Sequence, residues 1–157
     1  MLAEIGKFRA GGFTGAVYPV NQKYSSIDGL RCYARAIDLP EAPDLAIIAT
    51  PPSAVPGVIG QLAERGCRAA VIVTAGLSPT EKQAALDAAR PKLMRIVGPN
   101  TIGSISPLVG LNASFAHLNA SPGRVGLISQ SGAIVSSIVD WAAGEGVGFS
   151  QLISLGD

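Results

Sequence analysis

Charge is scarce in this chain of 157 residues: Asp, Glu, Lys and Arg make up only 15%, and the net charge is +1. Without clusters of Lys or Arg, or aromatics interleaved with them, no nucleic-acid surface is indicated. Cys32 and Cys67 are the only cysteines, and they stand far apart outside any C-x-x-C pattern. That spacing suggests neither a metal site nor a disulfide framework and fits a reduced, cytoplasmic protein. No apolar run reaches the ~20 residues that a membrane helix needs. The opening MLAEIGKFRAGGF also lacks the continuous apolar core of a signal peptide. What is abundant is apolar and small: hydrophobic residues make up 48%, with 19 glycines and 11 prolines against 5% aromatics. Such a mixture suits a parallel sheet buried on both faces, with Val, Ile and Ala in its strands and glycine in its turns.

The most informative stretch runs from Arg124 to Asp140, RVGLISQSGAIVSSIVD. Val125, Leu127 and Ile128 read as a buried parallel strand, whereas Ile134, Val135, Ile138, Val139 and Ala142 recur at helical spacing. The change of period at Ser129-Gln130-Ser131-Gly132 marks a strand feeding a helix through small residues. Such a turn presents unpaired N–H groups and the positive end of the helix dipole, a setting that favours phosphate. Glycine at 132 lets an anion approach the backbone, and the hydroxyls of Ser129 and Ser131 can donate to it. The plainer alternative is an ordinary turn in which Ser131 caps the helix.

Earlier in the chain, Leu2, Ile5 and Phe8 share one helical face that ends at Gly11-Gly12. Gly15 to Asn21 reads as a strand running into a loop at Pro19, followed by a polar surface segment. Lys23 falls just past that strand's carboxyl end, where open α/β sheets bind ligands. Asp44 to Ala49 is a second strand, closed by Thr50-Pro51-Pro52. Ser53 is read as the cap of a helix through Arg65, with Gly66 closing it. Ala69 to Thr74 is a third strand ending at Ala75-Gly76. Thr80 to Arg90 is a helix with Glu81 and Asp87 outward and Ala84, Ala85 and Ala88 inward. Met94 to Val97 is a fourth strand, stopping at Gly98-Pro99-Asn100. Right-handed crossovers put all these strand ends on one side of the sheet. The segments SISP and LNASFAHL can pair as extended pieces, Ala120 to Gly123 is the best linker candidate, and Phe149 to Leu155 opens another strand.

Taken together, Tyr18-Pro19-Val20-Asn21 with Lys23, Val73-Thr74-Ala75-Gly76, Gly98-Pro99-Asn100 with Gly103, Leu111 to Phe115, Gly123-Arg124-Val125 and Ser129 to Gly132 form an ordered succession. It resembles, over nearly the whole chain, the nucleoside-diphosphate-forming acyl-CoA synthetases. These include the ADP-forming acetyl-CoA synthetases and the α subunit of succinyl-CoA synthetase. The resemblance implies an α/β protein with a Rossmann-like CoA-binding domain over 1–119. The beginning of a flavodoxin-like ligase domain would follow over 120–157. It implies CoA contact by Lys23, Thr74, Ala75 and Gly76, with Pro19, Asn21, Thr50 and Pro51 lining the same mouth. Ser129, Gln130, Ser131 and Gly132 would form the phosphate-binding helix start.

In such enzymes phosphate attacks an acyl-CoA to give an acyl phosphate, a histidine carries the phosphoryl group, and ADP receives it to form ATP. The family's first strand and glycine-rich CoA loop are expected to precede Met1, and its phosphorylated histidine to follow Asp157. His117, the only histidine, stands in LNASFAHLNASPG and is read as structural or solvated, so no catalytic residue is assigned. ADP, ATP and Mg²⁺ would be handled by further ligase and ATP-grasp domains or a subunit, and this chain alone is expected to be inactive. A second reading is a CoA-sensing or acyl-CoA-sensing module of a bacterial lysine acetyltransferase. A dinucleotide-dependent oxidoreductase ranks last, because no G-x-G-x-x-G follows a strand.

Overall fold

The computed structural model describes residues 11–117 and 119–157. These fall into two compact units, Ala16–Ile96 and a second made of 11–15 with Val97–Asp157. The helix expected around Leu2, Ile5 and Phe8 lies outside the described residues; Gly11-Gly12 do form a turn.

The first unit opens with a departure from the strand expected over Gly15 to Asn21. Only Val20 pairs, in an isolated parallel bridge with Tyr33. Pro19 has no N–H to offer a ladder, and its carbonyl accepts a bond from the Tyr33 N–H at 2.9 Å instead. The polar segment that follows contains a small hairpin, β1 (Ser26–Ile27) and β2 (Leu30–Arg31). Its turn is Asp28-Gly29, both at positive φ, the pairing that a two-residue hairpin favours.

The sheet of this unit has the order β3-β4-β5, from β3 (Leu45–Ile48), β4 (Ala69–Ile72) and β5 (Arg95–Val97). β3 and β4 run parallel, with Leu45 opposite Ala69 and Ile48 opposite Ile72. A parallel pair needs a crossover, supplied here by α1 (Val55–Arg65). α2 (Pro79–Ala89) lies between β4 and β5. Val55, Ile59 and Leu62 of α1 pack with Ala85 and Ala89 of α2 and with Ile48, Ile72 and Met94.

Ser53 is not the cap of α1. It lies in a 3-10 turn over Pro52–Ala54, and Ala54 takes the capping position without a side-chain bond. Gly66 closes the helix as expected, in the left-handed conformation. In α2, Ala85 and Ala89 form the inward face, while Ala84 is exposed rather than buried.

α2 has the stronger start. The Ser78 hydroxyl accepts from the Glu81 N–H, and the Glu81 carboxylate accepts from the Ser78 N–H at 2.7 Å. Ser78→Ala is expected to cost about 1 kcal/mol in denaturant unfolding. Hydrogen bonds from Ser78 hold the Glu81 carboxyl below its ordinary pKa of 4.5. Its contribution is therefore complete above that value and lost as pH falls through the lowered one. The difference between wild type and Ser78→Ala should accordingly shrink on acidification.

The second unit is built on a sheet of order β7-β6-β9-β8. β6 (Gly103–Ser106) pairs antiparallel with β7 (Leu111–Ser114), so the two extended segments do meet as expected. β6 also pairs antiparallel with β9 (Phe149–Ser154), and β8 (Pro122–Ser129) runs parallel to β9. Residues 103–114 therefore share a sheet with the strands beyond the candidate linker.

That candidate segment is itself tied in. Ser121 O accepts from the Phe149 N–H at 2.8 Å, and the Gly123 and Gly148 backbones touch where side chains would collide. One face of the sheet is covered by α3 (Gly132–Glu145), whose Val135, Val139 and Ala142 pack with Ile105, Phe149 and Leu152. β8 is a parallel strand as read, but it lies at the sheet edge. Leu127 packs inward, whereas Val125 and Ile128 are 45% and 65% exposed.

Candidate functional site

In the first unit, parallel register sets the ends of β3 and β4 side by side. The Val73 N–H donates to Ile48 O at 3.0 Å, extending the ladder past the last paired residues. One step further, the Thr74 hydroxyl donates to Thr50 O at 2.7 Å. This bond joins Thr50-Pro51 to Thr74-Ala75-Gly76. Pro51 continues in extended backbone, so the chain leaves β3 straight rather than folding back over the strand end.

Gly76 turns to φ +78, a conformation that side chains resist, and nothing lies within 4 Å of where its Cβ would stand. Ala75 and Gly76 are exposed. The Thr50 hydroxyl oxygen is buried and has no partner among the described residues. The strand ends thus offer an open backbone edge with one unsatisfied hydroxyl beside it, features that suit a polar ligand.

Pro19, Asn21 and Lys23 form a second group in the same unit. The loop from Asn21 to Ser25 is clipped at both ends to one short segment. The Asn21 N–H donates to Tyr33 O at 2.8 Å, and the Cys32 N–H to Ser25 O at 2.9 Å. Beneath it the Cys32 thiol donates to Asn21 O at 3.6 Å. Asn21 Oδ1 accepts from the Lys23 N–H at 2.8 Å, a local turn that fixes the lysine backbone. Asn21 therefore serves to position Lys23.

Tyr33 meets Tyr18 in an edge-to-face pair with ring centres 6.1 Å apart, and the Arg31 guanidinium lies over its ring, 5.2 Å from the centre. Lys23 is exposed and makes no ion pair among the described residues. No hydrogen bond joins this loop to the Thr50–Thr74 pair among the described residues.

The turn from Ser129 to Gly132 belongs to the second unit. Ser129 Oγ accepts from the Ser131 N–H at 3.1 Å and donates to Ser131 O at 3.3 Å. Ser131 caps α3, its hydroxyl accepting from the Ile134 N–H at 3.4 Å. The capping alternative is thus realised, and it leaves the amides of Gly132 and Ala133 with no acceptor among the described residues. Gly132 has a packing reason as well: a Cβ there would stand 2.4 Å from the Ile102 side chain. Gln130 is exposed.

The Gly98-Pro99-Asn100 turn is fastened within this unit to the end of β9. The Gly98 N–H donates to Leu155 O at 3.0 Å, and Asn100 Nδ2 to Asp157 Oδ1 at 2.9 Å. Reading the sequence missed Thr101 and Ser154, both buried; the Thr101 hydroxyl donates to Ser154 O. The only available signal was the inward parity of Ser154 in FSQLISL.

His117 Nε2 lies 3.1 Å from Asp140 Oδ1 of α3, both groups being well exposed. Cys67 is buried and donates to Ala69 O at 3.2 Å; burial pushes its thiol pKa up. Among the described residues no cluster of His, Cys, Asp or Glu could hold a metal. Nor is any described helix long and apolar enough to cross a membrane.

Comparison with known proteins supplies the family. Residues 7–107 match the family described as CoA binding domain, and 122–157 match the succinyl-CoA ligase like flavodoxin domain. The chain is 38% identical over 149 residues to an ADP-forming acetate–CoA ligase of Methanocaldococcus jannaschii, covering 92% of this chain and 21% of that protein. It is 37% identical to an α subunit of ADP-forming acetate–CoA ligase II of Pyrococcus furiosus, covering 91% of this chain and 32% of the subunit.

A solved structure of the dinucleotide-forming acetyl-coenzyme A synthetase 1 of Candidatus Korarchaeum cryptofilum superposes with a TM-score of 0.92. Identity is 32%, over 98% of this chain and 34% of that one. A second structure of that enzyme, in complex with phosphate and ADP, gives 0.91. The chain thus spans between 21% and 34% of the length of these relatives. It belongs to the CoA binding domain family, and it joins that domain to a succinyl-CoA ligase-like flavodoxin segment as the nucleoside-diphosphate-forming acyl-CoA synthetases do.

Proposed function

We propose that this chain is the CoA-binding portion of an acyl-CoA synthetase that converts acyl-CoA, phosphate and ADP into carboxylate, CoA and ATP. Thr74, Ala75 and Gly76 with Thr50 and Pro51 form the strand-end part of the CoA site, and Lys23 supplies its cation. Pro19 and Asn21 hold the lysine loop in place. The observation that carries the reading is the Thr74–Thr50 hydrogen bond, which sets two strand ends beside each other and leaves a buried hydroxyl waiting for a partner. CoA carries a 3′-phosphate and a pyrophosphate, and a lysine ammonium or free backbone N–H groups suit either.

Ser129, Gln130, Ser131 and Gly132 form the phosphate-binding turn, whose free amides and helix dipole offset the charge of a phosphoryl group. The phosphoryl-carrying histidine is not His117, which is engaged with Asp140 at the surface. Nucleotide and Mg²⁺ belong to the remaining ligase and ATP-grasp domains or subunit, and the protein works in the cytoplasm. The family matches break between residues 107 and 122, whereas the compact units divide after Ile96, so residues 103–114 belong by structure to the second sheet. The sensor reading finds no support among the relatives described above.

Calorimetric titration of the chain with CoA tests the assignment. Saturable binding of one CoA per chain is the expected result, and absence of any saturable heat contradicts it.

A further inference from the structure

Ser154 ends β9 and is only 1% exposed, yet its hydroxyl oxygen has no hydrogen-bond partner among the described residues. Buried hydroxyls are nearly always paired, so an unpaired one calls for a reason. Its place in the sheet supplies one. Ser154 stands opposite Ser129 in the parallel β8–β9 register, so the two side chains leave the sheet on the same face. Two residues back, Leu127 and Leu152 occupy that face and pack with Val135 and Val139 of α3. Ser154 therefore lies one strand over from Ser129, beneath the start of α3, where the Gly132 and Ala133 amides are also without acceptors. The register thus puts one unpaired buried hydroxyl of β9 on the sheet face that α3 covers, opposite the last residue of β8 before the turn into that helix.

We infer that Ser154 is the sheet-side donor of the anion site at the start of α3, its hydroxyl holding an oxygen of the phosphoryl group that the Gly132 and Ala133 amides hold from the helix side. The inference rests on the phosphate-binding reading of that turn and adds a residue that the motif itself does not contain. Ser154 is closed to solvent, and the Ser129 hydroxyl opposite it in the register bridges to the Ser131 backbone. Release of that bridge frees the Ser129 hydroxyl as a fourth donor. The ligand-free protein thus keeps a buried hydroxyl unsatisfied, a loss of stability that anion binding recovers.

This separates the role of Ser154 from a structural one by the sign of a stability change. Removing a hydroxyl that supports the fold lowers the melting temperature, whereas removing an unsatisfied one raises it. Ser154→Ala is expected to raise Tm by about 2–4 °C without ligand. It should also weaken inorganic phosphate about tenfold, read from the phosphate-induced shifts of the Gly132 and Ala133 amides in NMR titrations. Ser154→Cys, which fills the space with a weak donor, should bind phosphate as poorly as the alanine variant.

If Ser154→Ala fails to fold, or melts lower while binding phosphate as the wild type does, the hydroxyl is structural and the inference is overturned, with the phosphate turn intact. If the wild type shows no phosphate-dependent shift at Gly132 or Ala133, the turn reading and the inference both fall.

Discussion

Gly103→Ala is expected to destabilise the second unit by about 3 kcal/mol or more. Two independent obstacles act at this position. The backbone sits at φ +113, outside the region that an L side chain adopts, so any Cβ is strained there. The Cβ would also stand 2.1 Å from the carbonyl oxygen of Ala113 and 2.7 Å from the Ser114 Cα on β7, backbone atoms that cannot swing aside.

The position is central to the sheet. Gly103 pairs with Ser114, and its N–H donates to the Thr101 hydroxyl at 3.0 Å, the same hydroxyl that holds Ser154 O. Relieving the clash by moving β7 away would therefore disturb β6 and the end of β9 together. Gly144→Ala is the matched control. Gly144 lies exposed in α3 with nothing within 4 Å of its missing Cβ, and alanine there should stabilise by up to about 1 kcal/mol. Urea unfolding of the two variants decides the matter. A loss below about 1 kcal/mol for Gly103→Ala would show that the close approach to β7 is not a constraint.

Lys23→Ala is expected to weaken CoA binding about 10–100-fold, the range for loss of a charge-assisted bond to a phosphate. The loop prepares the lysine before any ligand arrives. Its two ends are clipped to Tyr33 and Cys32, and Asn21 Oδ1 holds the Lys23 N–H, so little backbone entropy remains to be lost on binding. Asn21→Ala leaves the ammonium in place but loosens the turn, so it should weaken CoA in the same direction by a smaller factor.

The phosphate that Lys23 meets is read from a cycle with 3′-dephospho-CoA. If the lysine holds the 3′-phosphate, Lys23→Ala loses nothing further on that analogue; if it holds the pyrophosphate, the loss persists. Because the charge is exposed, raising the salt concentration should narrow the gap between wild type and variant. Equal CoA affinity for the two at low salt would remove Lys23 from the site.

The sheet of the first unit was legible because its strands are short apolar runs with loud punctuation. Leu45–Ile48 ends in Thr-Pro-Pro and Ala69–Ile72 runs on to Thr-Ala-Gly, and the crossover helix closes at a glycine that must be left-handed. The stretch from Gly15 to Tyr18 was misread as a strand on its apolar residues, whereas only Val20, beyond Pro19, makes a bridge. The Asp28-Gly29 hairpin was present in the sequence as a turn signal but was hidden in a polar stretch.

Val125 and Ile128 show a different limit. An apolar run announces a strand, but whether both its faces are covered depends on where it stands in the sheet, and β8 stands at the edge. Of the candidate site, Ser131 could be named from its turn and Thr74 only through the family resemblance, and Gly132 was named for a reason that the structure supplements with the Ile102 contact. Ser154 could not be named, since only the β8–β9 register sets it beside Ser129.

Amide chemical-shift mapping of the isotopically labelled chain during a CoA titration tests most directly whether the strand ends and the lysine loop form the CoA site. The expected result is saturable movement of Lys23, Thr50, Thr74, Ala75 and Gly76 with a common affinity, while the amides of the β1–β2 hairpin turn, Asp28 and Gly29, stay in place. Shifts that saturate elsewhere and leave Lys23 and Thr74 to Gly76 unmoved would contradict the assignment.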